Sequence, residues 1–224
     1  MLMFMRALPG SESRITPDAP PVSVTRESAY VDQRSRTLSA VAELVADGGY
    51  ADLTVELIIK RARVSYRTFY KHFADKEDCL LAHYDAVIRE TEREIRRRLA
   101  AEPRPWPEQV ALVLGALIEL IVVRPEMARG IVEAPTVGPR ILSRHEQAPK
   151  ALVPLFQAGR ELNPRGAELP STVEVTLAGS VFWSLYQRLV VGETDRLPEL
   201  LPELTELVLR TYIGPAAASR AGRD

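Results

Sequence analysis

The sequence predicts an all-α fold. Its 224 residues include only 12 glycines and show no sustained alternation of apolar and polar residues, which argues against a β-rich fold. Runs rich in Ala, Leu, Glu and Arg favour helices. With 46% hydrophobic residues, the chain can bury the core of one large domain or of two small ones.

Four helices are expected in the first hundred residues. Gly48-Gly49 ends the first, because glycine readily adopts the left-handed backbone that terminates a helix. Thr54, Ser65 and Asp75 are suitable N-caps for the next three. The predicted helices are residues 31–47, 54–62, 65–73 and 75–101.

The proline-rich segment 103–107 interrupts this pattern and indicates a domain boundary. Pro149 and Pro154 fall inside one later helix, which we therefore expect to be kinked or split. The apolar run 110–123 carries Glu119 and is shorter than the ~18 residues typical of a membrane span, so it predicts a buried helix. The later helices are expected at residues 107–123, 125–134, 139–160, 171–191 and 198–213.

A cationic segment, residues 60–73, stands out in a chain whose net charge is −1. It holds no acidic residue and five cations: Lys60, Arg61, Arg63, Arg67 and Lys71. Cations, aromatic rings and hydroxyls around one short helix suit a polyanion with a groove. Duplex DNA is such a partner, and its phosphates dominate affinity.

The helical period divides the third helix into two faces. Phe69 and Phe73 lie one turn apart and should dock it onto the first two helices, while Arg67 and Lys71 lie on the opposite side. A major groove admits one helix, so those two cations and Tyr66 would face base edges. The predicted phosphate contacts are Ser65, Thr68, Tyr70, His72 and Lys76. A solvated amphipathic helix is the competing interpretation.

Residues 42–81 resemble the TetR family of bacterial transcriptional regulators. The resemblance rests on Ala-Glu-Leu-Val-Ala-Asp-Gly-Gly-Tyr, Leu-Thr-Val-Glu-Leu-Ile, Ala-Arg-Val-Ser, Thr-Phe-Tyr-Lys-His-Phe and Asp-Lys-Glu-Asp-Cys-Leu-Leu. It implies a helix-turn-helix domain followed by a larger helical ligand-binding and dimerisation domain. It further implies a homodimer that binds a near-palindromic DNA operator, holds a small effector and pairs its last two long helices with those of its partner.

Composition, the helix pattern and the proline-rich break predict the division of the chain, and the resemblance assigns the roles of its parts. The parts are a disordered arm (1–28), a helix-turn-helix domain (29–75), a connecting helix (76–102), an effector-binding and dimerisation domain (103–213) and a flexible tail (214–224).

Three positions depart from the family pattern. Arg63 stands where the family usually has glycine, and a non-glycine residue in a left-handed backbone costs roughly 1 kcal/mol. Arg67 replaces a small residue, which should change operator preference. Ile59 replaces a frequent alanine, which can alter helix packing.

The second half of the chain shows no catalytic motif. The three histidines of the whole chain, His72, His83 and His145, are scattered and lack metal-ligand spacing. The residues that could line an apolar effector cavity are Trp106, Met127, Phe156, Phe182, Trp183 and Tyr186. Aromatic residues at helical spacing are more often core. Arg129, Arg160 or Arg188 could bind an effector carboxylate, and the sequence does not choose among them.

The last two helices offer apolar surface for a dimer seam, with an intramolecular core as the competing interpretation. The residues concerned are Val173, Leu177, Val181, Ser184, Leu185, Arg188, Leu200, Leu204, Leu207 and Val208.

The sequence thus favours a cytoplasmic, ligand-responsive DNA-binding regulator, most simply a repressor. The single cysteine fits a reducing compartment. Two alternatives remain: a helical enzyme or ligand-carrier protein with a vestigial helix-turn-helix, and a redox sensor that acts through Cys79.

Overall fold

A computed structural model describes residues 26–162 and 166–214, and all its regular elements in these ranges are helices. The all-α prediction is confirmed. The predicted arm and tail lie outside the described residues, except at 26–28 and Gly214.

The first four helices are present, and all but the start of the first follow the predicted boundaries closely. They are α1 (Arg26–Gly48), α2 (Val55–Ala62), α3 (Tyr66–His72) and α4 (Lys76–Ala101). The side chains of Thr54, Ser65 and Asp75 accept hydrogen bonds from the backbone amides three residues on, as capping residues do. The prediction for α1 was wrong at its start, because the helix begins at Arg26 rather than near residue 31.

The second half contains α5 (Trp106–Val123), α6 (Pro125–Val137), α7 (Pro139–Gln147), α8 (Val153–Gln157), α9 (Val173–Val190) and α10 (Leu201–Ile213). The expected break at Pro149 and Pro154 is confirmed, since 3₁₀ turns flank α8 on both sides. The segment before α10 is also 3₁₀ through Leu200, so the predicted α-helix at 198 starts later.

Two hydrophobic cores organise the described residues. The first joins α1 to α4 and contains Leu38, Val41, Val45, Leu53, Ile58, Phe69, Phe73, Cys79, Leu80, Tyr84, Ala134 and Ile141. Ala134 comes from α6 and Ile141 from α7. The N-terminal core is therefore completed by residues that lie far beyond the predicted boundary of the helix-turn-helix domain.

The second core joins α5, α9 and α10. Most of the residues predicted for a dimer seam lie inside it, including Leu177, Val181, Leu185, Leu204 and Val208. The intramolecular interpretation is confirmed for these residues.

Helix α5 includes the apolar run 110–123 and begins four residues before it. Its 18 residues have a mean hydropathy of 1.7, enough by length and composition to cross a membrane. Core helices of globular proteins meet the same criterion, and α5 buries Val110, Leu114 and Ile118 in the second core.

The turn between α2 and α3 contains the only residue other than glycine with a positive φ in the described ranges. Arg63 has φ 53° and ψ 49°, the left-handed conformation. Its amide donates to the carbonyl oxygens of Ile59 and Lys60 and so closes the end of α2. The expected cost of a side chain at this position therefore applies to the observed backbone.

We expect Arg63→Gly to raise the free energy of unfolding by up to about 1 kcal/mol, because glycine adopts this backbone without strain. Equilibrium urea unfolding followed by circular dichroism measures the change. Arg63→Ala removes the same charge but keeps the strain, so it should stay within about 0.5 kcal/mol of wild type. Equal stability of the glycine and alanine variants would contradict the strain argument.

Candidate nucleic-acid interface

Helix α3 has a buried face formed by two phenylalanines. Phe69 is fully buried and Phe73 is 3% exposed, with ring centroids 5.6 Å apart. Phe69 also makes an edge-on contact with the ring of Tyr70. The predicted orientation of the helix on its neighbours is confirmed.

The opposite face of α3 is open to solvent. Arg67 and Lys71 are exposed, and Tyr66 and Tyr70 are 51% and 56% exposed. Large exposed aromatic side chains beside cations are unusual on a surface without a partner. The geometry predicted for base reading is present, although the contacts themselves stay a prediction.

The N-terminus of α3 is capped by the hydroxyl of Ser65 and lies at the protein surface. Ser65 Oγ accepts the amide of Thr68 at 3.1 Å and lies 3.0 Å from Thr68 Oγ1. Both hydroxyls are at an exposed helix start, where the helix dipole favours anions. This end of α3 is therefore suited to a phosphate.

His72 is half-buried at the other end of the helix. Burial, and then the charges of Arg34 and Lys71, lower its pKa below the ordinary value. The neutral imidazole is therefore favoured near pH 7, and we expect any contribution to phosphate binding to come from hydrogen bonding rather than from charge.

Lys76 is held differently from the other predicted phosphate contacts. Its ammonium donates to Leu53 O at 2.7 Å and to Tyr50 O at 3.4 Å, and it lies 4.2 Å from the centroid of the Tyr50 ring. These contacts bind the start of α4 to the α1–α2 turn. The structure thus gives Lys76 a structural role, and its predicted phosphate contact is not tested.

The segment 60–73 has two further exposed cations outside α3. Lys60 and Arg63 are exposed and were not selected from the sequence, although the charge pattern contained them. Arg61 differs, because it binds Glu43 at 2.6 Å on α1. The sequence could not distinguish Arg61 from Lys60 and Arg63, because its ion pair with Glu43 depends on how α2 packs on α1.

The six predicted effector residues do not meet in one cavity. Trp106 and Phe156 are buried in the second core, and Phe182 packs against it. Met127 packs instead against the first core. Trp183 is 59% exposed and stacks on Tyr186 at 5.6 Å. The sequence identified these residues as apolar but could not assign their helix faces.

Two pockets lie elsewhere. A groove of about 600 Å³ runs between α1, α4 and the start of α6, and the buried pair His83–Glu126 (3.3 Å) lines it. A smaller pocket of about 200 Å³ lies between Pro149, Val153 and Val175. None of the six predicted residues lines either pocket.

The arginines considered for an effector carboxylate already have protein partners. Arg160 makes a bidentate pair with the buried Glu174 at 2.7 and 3.0 Å, and Tyr212 donates to the same carboxylate at 3.1 Å. Arg188 binds Glu193 at 2.6 Å. Arg129 donates to the carbonyl of Val45 at 3.3 Å.

Cys79 is fully buried in the first core. Burial, with a smaller contribution from the charge of Asp78, raises the pKa of its thiol to about 12. Redox sensing requires an accessible thiolate, so this environment disfavours the redox-sensor alternative.

These observations define a class of protein. It has a helix-turn-helix formed by α2 and α3, of which α3 presents a cationic, aromatic face to solvent, followed by further α-helices. Residues 38–83 match the family model described as "Bacterial regulatory proteins, tetR family". The HTH-type transcriptional regulator HbdR of Aromatoleum sp. (strain CIB) is 30% identical over 82 residues, which span 37% of this chain and 36% of HbdR.

Solved structures support the same fold over most of the chain. The fatty acid degradation regulator FadR of Bacillus halodurans has a TM-score of 0.66 at 19% identity, covering 79% of this chain and 94% of FadR. FadR of Bacillus subtilis in complex with stearoyl-CoA has a TM-score of 0.62 at 19% identity, covering 80% and 98%. Residues 38–83 therefore form a helix-turn-helix domain of the TetR type, and the described chain shares its fold with these regulators.

Proposed function

We propose that this protein is a cytoplasmic repressor that binds a near-palindromic operator as a homodimer and is released by a small, mostly apolar effector. The observation that carries the proposal is the two-faced α3, with Phe69 buried and Arg67 exposed on opposite sides. Such a helix is fixed to the domain by one face and leaves the other free for the major groove.

The contacts divide by the chemistry of each side chain. Arg67 and Lys71 would bind guanine acceptors, with Tyr66 beside them. The side chains that would bind phosphates and set the register are Ser65, Thr68, Tyr70 and His72.

The dimer proposal rests on an exposed stripe along α9. Val175, Trp183 and Val190 are 55%, 59% and 50% exposed, and Gly179 between them has open space around it. Leu207 of α10 is 43% exposed. A second copy would bury this stripe. The α3 helices of the two copies, which would be the recognition helices, would then lie at half-sites ~34–36 Å apart or a multiple of that distance.

The effector proposal rests on the irregular segment from the 3₁₀ turn Ala148–Leu152 to the turn Ala158–Leu162. Short helices of this kind have weaker internal hydrogen bonding than one long helix. This segment contains the buried Phe156, and Leu155 O accepts the indole N–H of Trp106 at 2.8 Å. We propose that an effector widens the small pocket at Val153 toward these two rings and thereby changes the spacing of the recognition helices.

Arg67→Ala should relax base choice at one operator position, with a loss of about 1–3 kcal/mol of discrimination. Tyr70→Phe should instead weaken all sequences about equally, by roughly 1 kcal/mol, because it removes a phosphate hydrogen bond. Sequencing DNA selected by each variant from a random pool, followed by affinity measurement at fixed salt, distinguishes these outcomes. Wild-type selection without any enriched sequence would refute operator binding.

Trp183→Glu should raise the dimer dissociation constant by roughly 100-fold, since it places a charge at the centre of the α9 stripe. Sedimentation equilibrium measures the constant. Val123→Glu is the control, because Val123 is 64% exposed and belongs to α5 rather than to α9 or α10. A Trp183→Glu protein that dimerises like wild type would show that the stripe is not the dimer surface.

An effector should change the fluorescence of Trp106 in a Trp183→Phe background, where Trp106 is the remaining tryptophan. Stearic acid, which corresponds to the acyl part of the stearoyl-CoA in the Bacillus subtilis FadR complex, is the first probe, with acetate as its control. Binding at 100 times the dissociation constant should also add about 2.7 kcal/mol to the free energy of unfolding. Ligand-induced stabilisation without any change in Trp106 emission would place the effector elsewhere.

A further inference from the structure

The base of the recognition helix is held by a side chain from outside the helix-turn-helix domain. Arg140 on α7 donates through Nη2 to both carboxylate oxygens of Asp75 at 2.8 Å and to Glu77 Oε2 at 2.9 Å. Asp75 is the N-cap of α4 and follows Phe73 by two residues. A regulatory-domain arginine therefore binds the turn that fixes where α3 ends and α4 begins.

A second contact reaches the other side of the domain. Glu133 on α6 accepts the amide of Tyr50 at 2.8 Å in the α1–α2 turn. The neighbouring Gly49 has φ +79°, and a Cβ atom there would clash with Glu133 Oε1. The turn is thus shaped for a close approach of the α6 carboxylate.

Lys76 connects the two contacts. It is the first residue of α4, next to Asp75, and its ammonium binds Leu53 O and the ring of Tyr50. The chain of contacts from Glu133 through Tyr50 and Lys76 to Arg140 spans both ends of the unit formed by α2 and α3. Rigid placement of α3 therefore involves α6 and α7 as well as α1, α2 and α4.

The ionisation states agree with this arrangement. The amide of Asp78, together with the guanidinium of Arg140, lowers the pKa of Asp75 below its ordinary value. The carboxylates of Glu77 and Asp75 raise the pKa of Arg140. The pair stays charged across the physiological range.

We propose that Arg140 is a positioning residue for DNA binding: from α7 it fixes the Asp75–Glu77 turn and so sets the orientation of α3 toward the operator. The proposal rests on operator binding by α3 as proposed above. Arg140 itself need not touch DNA.

The test compares Arg140→Ala with Arg144→Ala. Arg144 is a matched control, since it also lies on α7, is equally exposed (44% against 45% for the side chains) and also binds a carboxylate of α4, Asp85, at 2.7 Å. Asp85 is almost three turns further along α4, away from α3. Both full-length variants are assayed for operator affinity, base discrimination, salt dependence and thermal stability.

Arg140→Ala should weaken operator binding by roughly 5- to 20-fold and reduce base discrimination, while Arg144→Ala stays within about twofold of wild type. In the double variant with Glu77→Gln, the second change should add little, since the partners act as one unit. Equal effects of the two arginine variants would overturn the proposal. A salt slope reduced by about one, with base preference intact, would also overturn it by showing a direct phosphate contact.

Hydrogen exchange in the absence of DNA separates this inference from the proposed function. Arg140→Ala should speed amide exchange in α3 and in the first turn of α4, and Arg144→Ala should not. If wild type selected no operator, the repressor proposal would fail, and the exchange data would still decide whether Arg140 fixes this turn. Unchanged exchange in Arg140→Ala would refute the positioning role by itself.

Discussion

The burial of Phe69 and Phe73 is the interaction on which the exposed cationic face of α3 depends. Helix α3 has seven residues, whereas isolated helices shorter than ~12–15 residues are marginal in water. Its helical state therefore comes from the capping hydroxyl of Ser65 and from packing. A fully buried phenylalanine contributes about 1.5–3 kcal/mol, so these two side chains together outweigh the poor length of the helix. The positions of Arg67 and Lys71 follow from theirs.

This dependence connects the two halves of the molecule. The core that holds Phe69 also contains Ala134 and Ile141, which belong to α6 and α7. A displacement of those helices changes the surface on which α3 rests, because protein interiors are close-packed and do not deform continuously. The N-terminal core therefore crosses the predicted boundary between a DNA-binding domain and a regulatory domain. In the proposed regulator, an effector would therefore act on α3 through the packing of this core.

The sequence predicted what is encoded locally. The ends of α2, α3 and α4 depend on Thr54, Ser65 and Asp75, each of which caps an amide three residues away. The effector residues were harder to place, because an aromatic residue in a helix can face a core, a pocket or a partner. Trp106 contacts Leu155 and Arg140 contacts Asp75, across 49 and 65 residues. No periodicity in one segment carries such information.

The helix-turn-helix has a locally positive surface in a chain that has almost no net charge. A net charge of −1 gives the protein little general attraction to DNA, so binding depends on where the cations are directed. Arg61 is bound by Glu43 and Arg140 by Asp75 and Glu77, and neither lies on α3. Arg67 remains exposed on the face opposite Phe69, and Tyr70 is exposed at the edge of that face. Acidic residues thus pair with Arg61 and Arg140 and give both arginines a structural role. The exposed cations on the outer face of α3 place positive charge where this helix would enter a DNA groove.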